Sequence, residues 1–290
     1  MKTKNEKLML KAGYASIGLT VVLLVLKWIA FIMTNSVAVL STLFDSVQDL
    51  MTSGINLLAI RQSIVPADKQ HRFGHGKAQA VGGLFQAIVI FVSGVILIYQ
   101  SCLHWKNHDT PDVFSHGTVL LLISIVLTFI LLRFQKYVVA KTDSISIRAD
   151  MAHYAGDIWM NTGVIVSLFF STVLKIQWLD ILFGIGVGLY LIKTTYHIAM
   201  VAIGILMDTE MPLHIRYKIK AIVMTFDNVI KVKDLKTRQS GTCLFIQMTI
   251  VMNKDLTLSQ AHQISDEIES ELHHTFSDCE IIIHLEPDSK

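Results

Sequence analysis

Two pairs of residues in this chain place chemistry where membrane helices ordinarily carry none. "LFDSVQDL" sets Asp45 and Asp49 four residues apart, and "HYAGDIW" sets His153 and Asp157 four apart, both inside otherwise apolar runs. Positions i and i+4 of an α-helix differ by about 40° around the axis, so each pair shares one face. An ionised carboxylate in hydrocarbon costs about 2.5–3.5 kcal/mol on insertion scales and more by simulation. Something must offset three of them. Two helices with two ligands each supply three carboxylate oxygens and one imidazole nitrogen. That set suits a tetrahedral divalent ion such as Zn²⁺, with bonds of about 2.0–2.2 Å. Lys27 lies well inside the first span, and a single ammonium does not neutralise three carboxylates. A His–Asp pair taken alone also reads as a packed hydrogen bond. Proton relays and Na⁺-coupled sites use intramembrane carboxylates as well, so the residues leave those readings open.

The elements that must position these groups follow from composition. Of 290 residues, 52% are apolar and 17% charged, too greasy for an ordinary soluble domain of that length. A hydrocarbon core about 30 Å thick needs roughly 20 apolar residues per helix. Runs of that kind cover residues 12–33, 38–60, 79–101, 115–137, 146–173 and 178–206. The first is too long for a signal peptide and has no small-residue cleavage site close behind it, so it reads as a retained span. Short links make each span an antiparallel neighbour of the next, which predicts an all-α bundle of six transmembrane helices. Lys2, Lys4, Lys7 and Lys11 precede the first span; Arg61, Lys69, Arg72 and Lys77 follow the second; Arg133, Lys136, Lys141 and Arg148 flank the fourth link. The opposite links hold only Lys106 and Lys175. The positive-inside rule therefore puts both termini in the cytoplasm. Gly82, Gly83, Gly184, Gly186 and Gly188 read as close-packing positions between helices.

The composition changes near residue 209, dividing the chain into a membrane domain, 1–208, and a cytoplasmic domain, 209–290. "MPLHIRYKIKAIVMTF" has helical spacing, with Ile215, Ile219, Ile222, Val223 and Phe226 on one side. "TCLFIQMTIV" alternates as a half-buried strand, with Leu244, Ile246, Met248 and Ile250 on one face. A Thr257–Gln260 capping box opens a helix carrying Ile264, Ile268, Leu272 and Phe276, and "EIIIHLEP" reads as a last strand. Helix–strand–strand–helix–strand predicts a small α+β sandwich. Cys102, Cys243 and Cys279 make no CxxC pair and read as packing residues.

Further ligand-type residues lie outside the spans. In "ADKQHRFGHGK", Asp68, His71 and His75 suit a second dication, with Gly74 and Gly76 allowing a tight backbone. A basic loop meeting lipid headgroups through Arg72 and Lys77 fits the same spacing. "SCLHWKNHDTPDVFSHG" holds His104, His108, Asp109, Asp112 and His116, and reads as an exposed polar loop. In the tail, His262, His284 and Glu286 are candidates to converge, against a plain reading as surface residues. An intramembrane metalloprotease lacks support: there is no HExxH, and four protein ligands leave no position for an activated water. A membrane metal sensor that does not transport is the alternative reading. The charge distribution calls for membrane lipid and metal ions as partners, and for no nucleic acid.

Taken together, "FDSVQD", "HRFGHGK", "RADMAHYAGDIWMN", "DLKTRQSG", "QAHQISDEIE" and "IIIHLEP" resemble the cation diffusion facilitator family, in particular its bacterial zinc/iron-efflux branch, over nearly the whole chain. The resemblance implies a homodimeric antiporter of the bacterial inner membrane that exports Zn²⁺, and in some members Cd²⁺ or Fe²⁺, in exchange for protons. It assigns the transport site to Asp45, Asp49, His153 and Asp157 and a second metal site to Asp68, His71 and His75. It pairs Lys77 with Asp208 in a bridge that steadies the dimer near the membrane surface, and makes the tail a ferredoxin-like dimerisation domain that senses metal. The tail departs from the pattern: His262 and His284 are kept, Glu286 stands where Asp is usual, and Lys233 and Thr249 replace two histidines. A lysine ammonium opposes bound metal, so at least one tail ion is expected to be lost or weakened.

Overall fold

In a computed structural model, residues 4–34, 37–107, 116–174, 178–276 and 278–288 are described; within the helices, the side chains at positions 30, 33–34, 37–42, 44–45, 104–107, 116–121, 164, 167–174 and 178–180 lie outside the description. The chain divides into two units, Met1–Ile203 and Gly204–Lys290. The first consists of α1 (Lys4–Thr34), α2 (Val37–Ser63), α3 (Ala78–Asn107), α4 (His116–Thr142), α5 (Ile145–Leu174) and α6 (Trp178–Leu206). All six expected spans are therefore helices. Within α1, α3, α4 and α6, the segments Lys4–Ile29, Ala78–Leu103, Leu122–Thr142 and Ile181–Leu206 are long and apolar enough to cross a membrane. The other two, α2 and α5, have 27 and 30 residues and carry the candidate ligands.

The interior of this unit holds many polar groups among its apolar ones. Ser16, Thr20, Ser53, Asn56, Gln135 and Asp150 are each at most 2% exposed, while Val22, Trp28, Ile88, Phe129 and Leu189 are exposed. Lipid is as apolar as leucine, so helices in it are joined by close packing and hydrogen bonds rather than by apolar burial. Several hydroxyls are satisfied within their own helix by the carbonyl four residues back: Thr20 to Ser16 at 2.9 Å, Thr52 to Gln48 at 2.7 Å and Ser101 to Leu97 at 2.8 Å. Backbones meet where α3 and α6 cross: a Cβ built on Gly188 would lie 2.9 Å from the Gly94 carbonyl oxygen. Near one end of the bundle Met9, Ala12, Ile60, Val138 and Ile147 form a small apolar cluster from four helices.

The second unit runs α7 (Leu213–Val223), β1 (Val229–Ser240), β2 (Cys243–Met252), α8 (Leu258–Thr275) and β3 (Cys279–Pro287). The sheet order is β1-β2-β3, with β1 antiparallel and β3 parallel to the central β2. A two-residue link with Gly241 at φ 63° closes the β1–β2 hairpin, a backbone region glycine enters freely. A parallel pair needs a crossover, which α8 supplies. That helix opens with the expected capping box: the Thr257 hydroxyl accepts the Gln260 N–H and the Gln260 side chain accepts the Thr257 N–H. The predicted faces form the core: Ile219 and Val223 of α7, Leu244, Ile246, Met248 and Ile250 of β2, and Ile268 and Leu272 of α8 are all buried. This is the helix–strand–strand–helix–strand order of the ferredoxin-like domain expected there.

Candidate metal centre

α5 begins immediately after α4. Asp143 sits between them at φ 49°, in the left-handed region that ends helices, and the Arg148 guanidinium pairs with its carboxylate. The Ser144 hydroxyl accepts the Ile147 N–H at 3.4 Å as a cap on the new helix. From that fixed start, Asp150, His153, Tyr154 and Asp157 follow along α5 within two turns.

The structure brings Asp49, His153 and Asp157 together, their ligand atoms all within 4.8 Å of one another. His153 Nε2 lies 3.0 Å from Asp49 Oδ1 and 3.9 Å from Asp157 Oδ2. The edge of a tetrahedron with metal bonds of about 2.0–2.2 Å is about 3.3–3.6 Å, and the two distances bracket it. His153 is 7% exposed and the carboxylates 20% and 31%, so the imidazole forms the floor and the carboxylates the rim. Asp45 lies on α2 one turn before Asp49; its side chain is outside the described residues.

Beneath the three ligands lies a hydrogen-bonded layer that the sequence reading did not assign. Asp150, 1% exposed, accepts from Ser16 Oγ at 2.6 Å and from Gln135 Nε2 at 2.7 Å through Oδ2. The Tyr154 hydroxyl lies 2.8 Å from Thr20 Oγ1 and 2.8 Å from Ser53 Oγ. These bonds tie α5 to α1, α4 and α2 within one turn of His153 and Asp49, fixing the register in which the ligands meet. Asp150 carried a visible signal: it is another carboxylate inside a span, three residues before His153. Its partners, 134 and 15 residues away, left none.

The loop between α2 and α3 forms a second cluster. Asp68, His71 and His75 also bring their ligand atoms within 4.8 Å of one another. Asp68 Oδ1 accepts the N–H of Gln70 at 2.8 Å and of His71 at 2.6 Å. The His71 backbone bond leads in holding this carboxyl below the usual aspartate value, so it is ionised and ready for a cation at neutral pH. His75 Nδ1 lies 3.3 Å from the Val65 carbonyl oxygen, to which its N–H donates; Nε2 then presents a lone pair 3.5 Å from Asp68 Oδ2. Gly74, at φ 76°, makes the turn between the histidines.

In the tail, among the described residues of the single chain, His262, His284 and Glu286 do not form a three-ligand cluster. His262 pairs with Asp266 at 3.4 Å on α8, and His284 Nε2 is 3.9 Å from Glu286. Lys233 Nζ lies 3.1 Å from Glu286 Oε2, and Thr249 stands between Lys233 and His284 in the sheet register. Asp208 lies 3.3 Å from Arg238 within its own unit, and Lys77 immediately precedes α3. Of the polar link after the third span, His108, Asp109 and Asp112, together with the side chains of His104 and His116, are outside the described residues. The cysteines are free: Cys102 is exposed, while Cys243 and Cys279 are half-buried.

Comparison with known proteins agrees with this architecture. Residues 14–207 match the cation efflux transmembrane domain, and residues 211–288 match ZT_dimer, the cytoplasmic domain of cation efflux proteins. The chain belongs to the cation efflux, or cation diffusion facilitator, family: it is a membrane-embedded cation efflux transporter with a cytoplasmic domain of dimerisation type. Among its relatives are cation-efflux pumps FieF from Klebsiella pneumoniae, 36% identical over 291 residues (100% of this chain, 96% of the relative), and from Yersinia enterocolitica, 36% identical over 287 residues (99% and 95%). A solved chain of CzrB is 30% identical, covering 27% of this chain and 99% of its own length, at a TM-score of 0.27.

Proposed function

We infer that the chain is a proton-coupled exporter of divalent metal, with Zn²⁺ as the leading substrate, working by alternating access at Asp45, Asp49, His153 and Asp157. The observation that carries this reading is the convergence of Asp49, His153 and Asp157 from two helices at ligand spacing. The His153 N–H that donates to Asp49 occupies the lone pair a metal needs. Metal and proton therefore compete for one nitrogen, and metal binding releases a proton. Facing the cytoplasm, the site trades its protons for the ion; facing outward, protons displace the ion and return. His153 is the principal carrier, since imidazole changes charge closest to physiological pH.

The protein works as a homodimer in the bacterial inner membrane, both termini cytoplasmic. Asp68, His71 and His75 hold a second ion near the surface, and Lys77 with Asp208 steadies the dimer. The Lys233–Glu286 pair supports a tail in which at least one ion is lost or weakened: an ammonium lies 3.1 Å from the carboxylate a metal would use.

The test is zinc accumulation in proteoliposomes under a pH gradient. Transport predicts accumulation that collapses with the gradient and is abolished by Asp157→Ala. Binding without accumulation would instead favour the non-transporting sensor. Repeating the uptake with Fe²⁺, Cd²⁺ and Mn²⁺ ranks the substrates, which the oxygen-rich ligand set alone does not.

A further inference from the structure

A lysine stands beside the proposed transport site. Lys27 lies on α1, inside the segment apolar enough to span the membrane, and is half-buried. Its Nζ donates to Ser46 Oγ at 2.7 Å, and Ser46 is 1% exposed. Ser46 follows Asp45 directly and precedes Asp49 by three residues, which puts it on the Asp49 side of α2. A lysine that needs only to escape hydrocarbon stretches to the nearest interface. This one is directed inward, at a buried hydroxyl one turn from a metal-ligand carboxylate.

We propose that Lys27 is an affinity-setting residue of the transport site, a tethered cation that offsets part of the ligands' negative charge so that the bound dication can leave. The proposal rests on the four-ligand reading above. Asp45, Asp49 and Asp157 bring three negative charges and Lys27 one positive, leaving two, which one divalent ion cancels. Without the ammonium the same carboxylates hold the ion more tightly. A transport site must bind well enough to load and weakly enough to unload. At separations of roughly one to two helical turns and an effective dielectric constant near 20, a unit charge acting on a dication shifts affinity by roughly two hundredfold at the far end of that range and by more when closer. Asp150, the other carboxylate on this part of α5, belongs to the separate Ser16–Gln135 cluster.

The experiment is a zinc titration of the full-length protein in detergent, paired with turnover in proteoliposomes. Lys27→Met, close in length and uncharged, is expected to bind zinc at least about a hundredfold tighter and to turn over more slowly at saturating zinc, because release is retarded. Lys27→Arg restores the charge and is expected to bring both values back within a few-fold of the native protein. Ser46→Ala removes one hydrogen bond to the ammonium but keeps the charge, so its affinity shifts by less than that of Lys27→Met. Lys27→Gln gives a second neutral variant should the methionine form fold poorly. Zinc affinity unchanged or weakened in the neutral variants overturns the proposal. Asp49→Ala keeps the two readings apart: if it binds zinc as the native protein does, the four-ligand site itself is wrong. If it loses zinc while Lys27→Met behaves as native, only the role of Lys27 fails.

Discussion

The transmembrane unit buries Ser16, Asn56, Gln135, Asp150 and His153 and turns Val22, Ile88 and Phe129 outward; the C-terminal unit buries Ile219, Ile246, Ile250 and Ile268 and exposes its lysines and glutamates. One chain follows both rules because it meets two solvents. In water, apolar burial drives folding at about 25 cal/mol per Å². In lipid that gradient vanishes, and what remains is packing and hydrogen bonding, so polar groups gather inside where they find partners. The membrane interior is thus free to hold charged ligands, and the tail interior is not.

Removing a ligand carboxylate tests the contrast most severely. Asp49→Leu or Asp157→Leu should lower zinc accumulation in proteoliposomes by at least about a hundredfold, while thermal stability in detergent holds or rises, since a buried charge is relieved. A large loss of stability would make these carboxylates structural. Next comes the apolar interior. Ile268→Ala in the tail core should cost about 2–5 kcal/mol in denaturant unfolding, as truncation of a buried isoleucine generally does. A cost below 1 kcal/mol would mean that the tail is not held by that core. Smaller again is the effect at the polar layer: Asp150→Leu leaves Ser16 and Gln135 without their acceptor and should cost about 1–3 kcal/mol, with Asp150→Asn recovering part of it. The smallest effect is one of reactivity. Burial, followed by the charges of Asp278 and Glu280, pushes the Cys243 thiol up to about 12, and burial raises Cys279 as well. The raised value keeps Cys243 protonated at neutral pH, so its alkylation, followed by mass spectrometry between pH 7 and 9, should lag behind that of an unhindered thiol.

Much of this was legible in the residues. The tail core could be read from alternation and helical spacing, because Leu244, Ile246, Met248 and Ile250 share a face under either description. The span positions were legible but not their ends. Apolar runs mark where a helix is greasy, whereas α1 continues back to Lys4 and α4 on to Thr142, where charged side chains reach water and the backbone stays helical. The approach of His153 to Asp157 was legible because their i, i+4 spacing is local. The Asp150 and Tyr154 contacts were not, because each joins residues distant in sequence and obeys no period. The tail candidates were legible only as residue types: His262 and Asp266 pair along α8, and His284 lies beside Glu286 on β3, contacts that the spacing alone did not choose.

The self-satisfied hydroxyls bear on how the protein is made. Thr52 and Ser101 bring a hydrogen-bond acceptor with them, the carbonyl one turn back on the same helix, so each can enter the bilayer before finding a neighbour. Asp150 cannot: its donors, Ser16 and Gln135, belong to α1 and α4. Both of those helices precede α5 in the chain and emerge from the ribosome ahead of it. The helix that carries Asp150 is thus made after both helices that hold its hydrogen-bond donors.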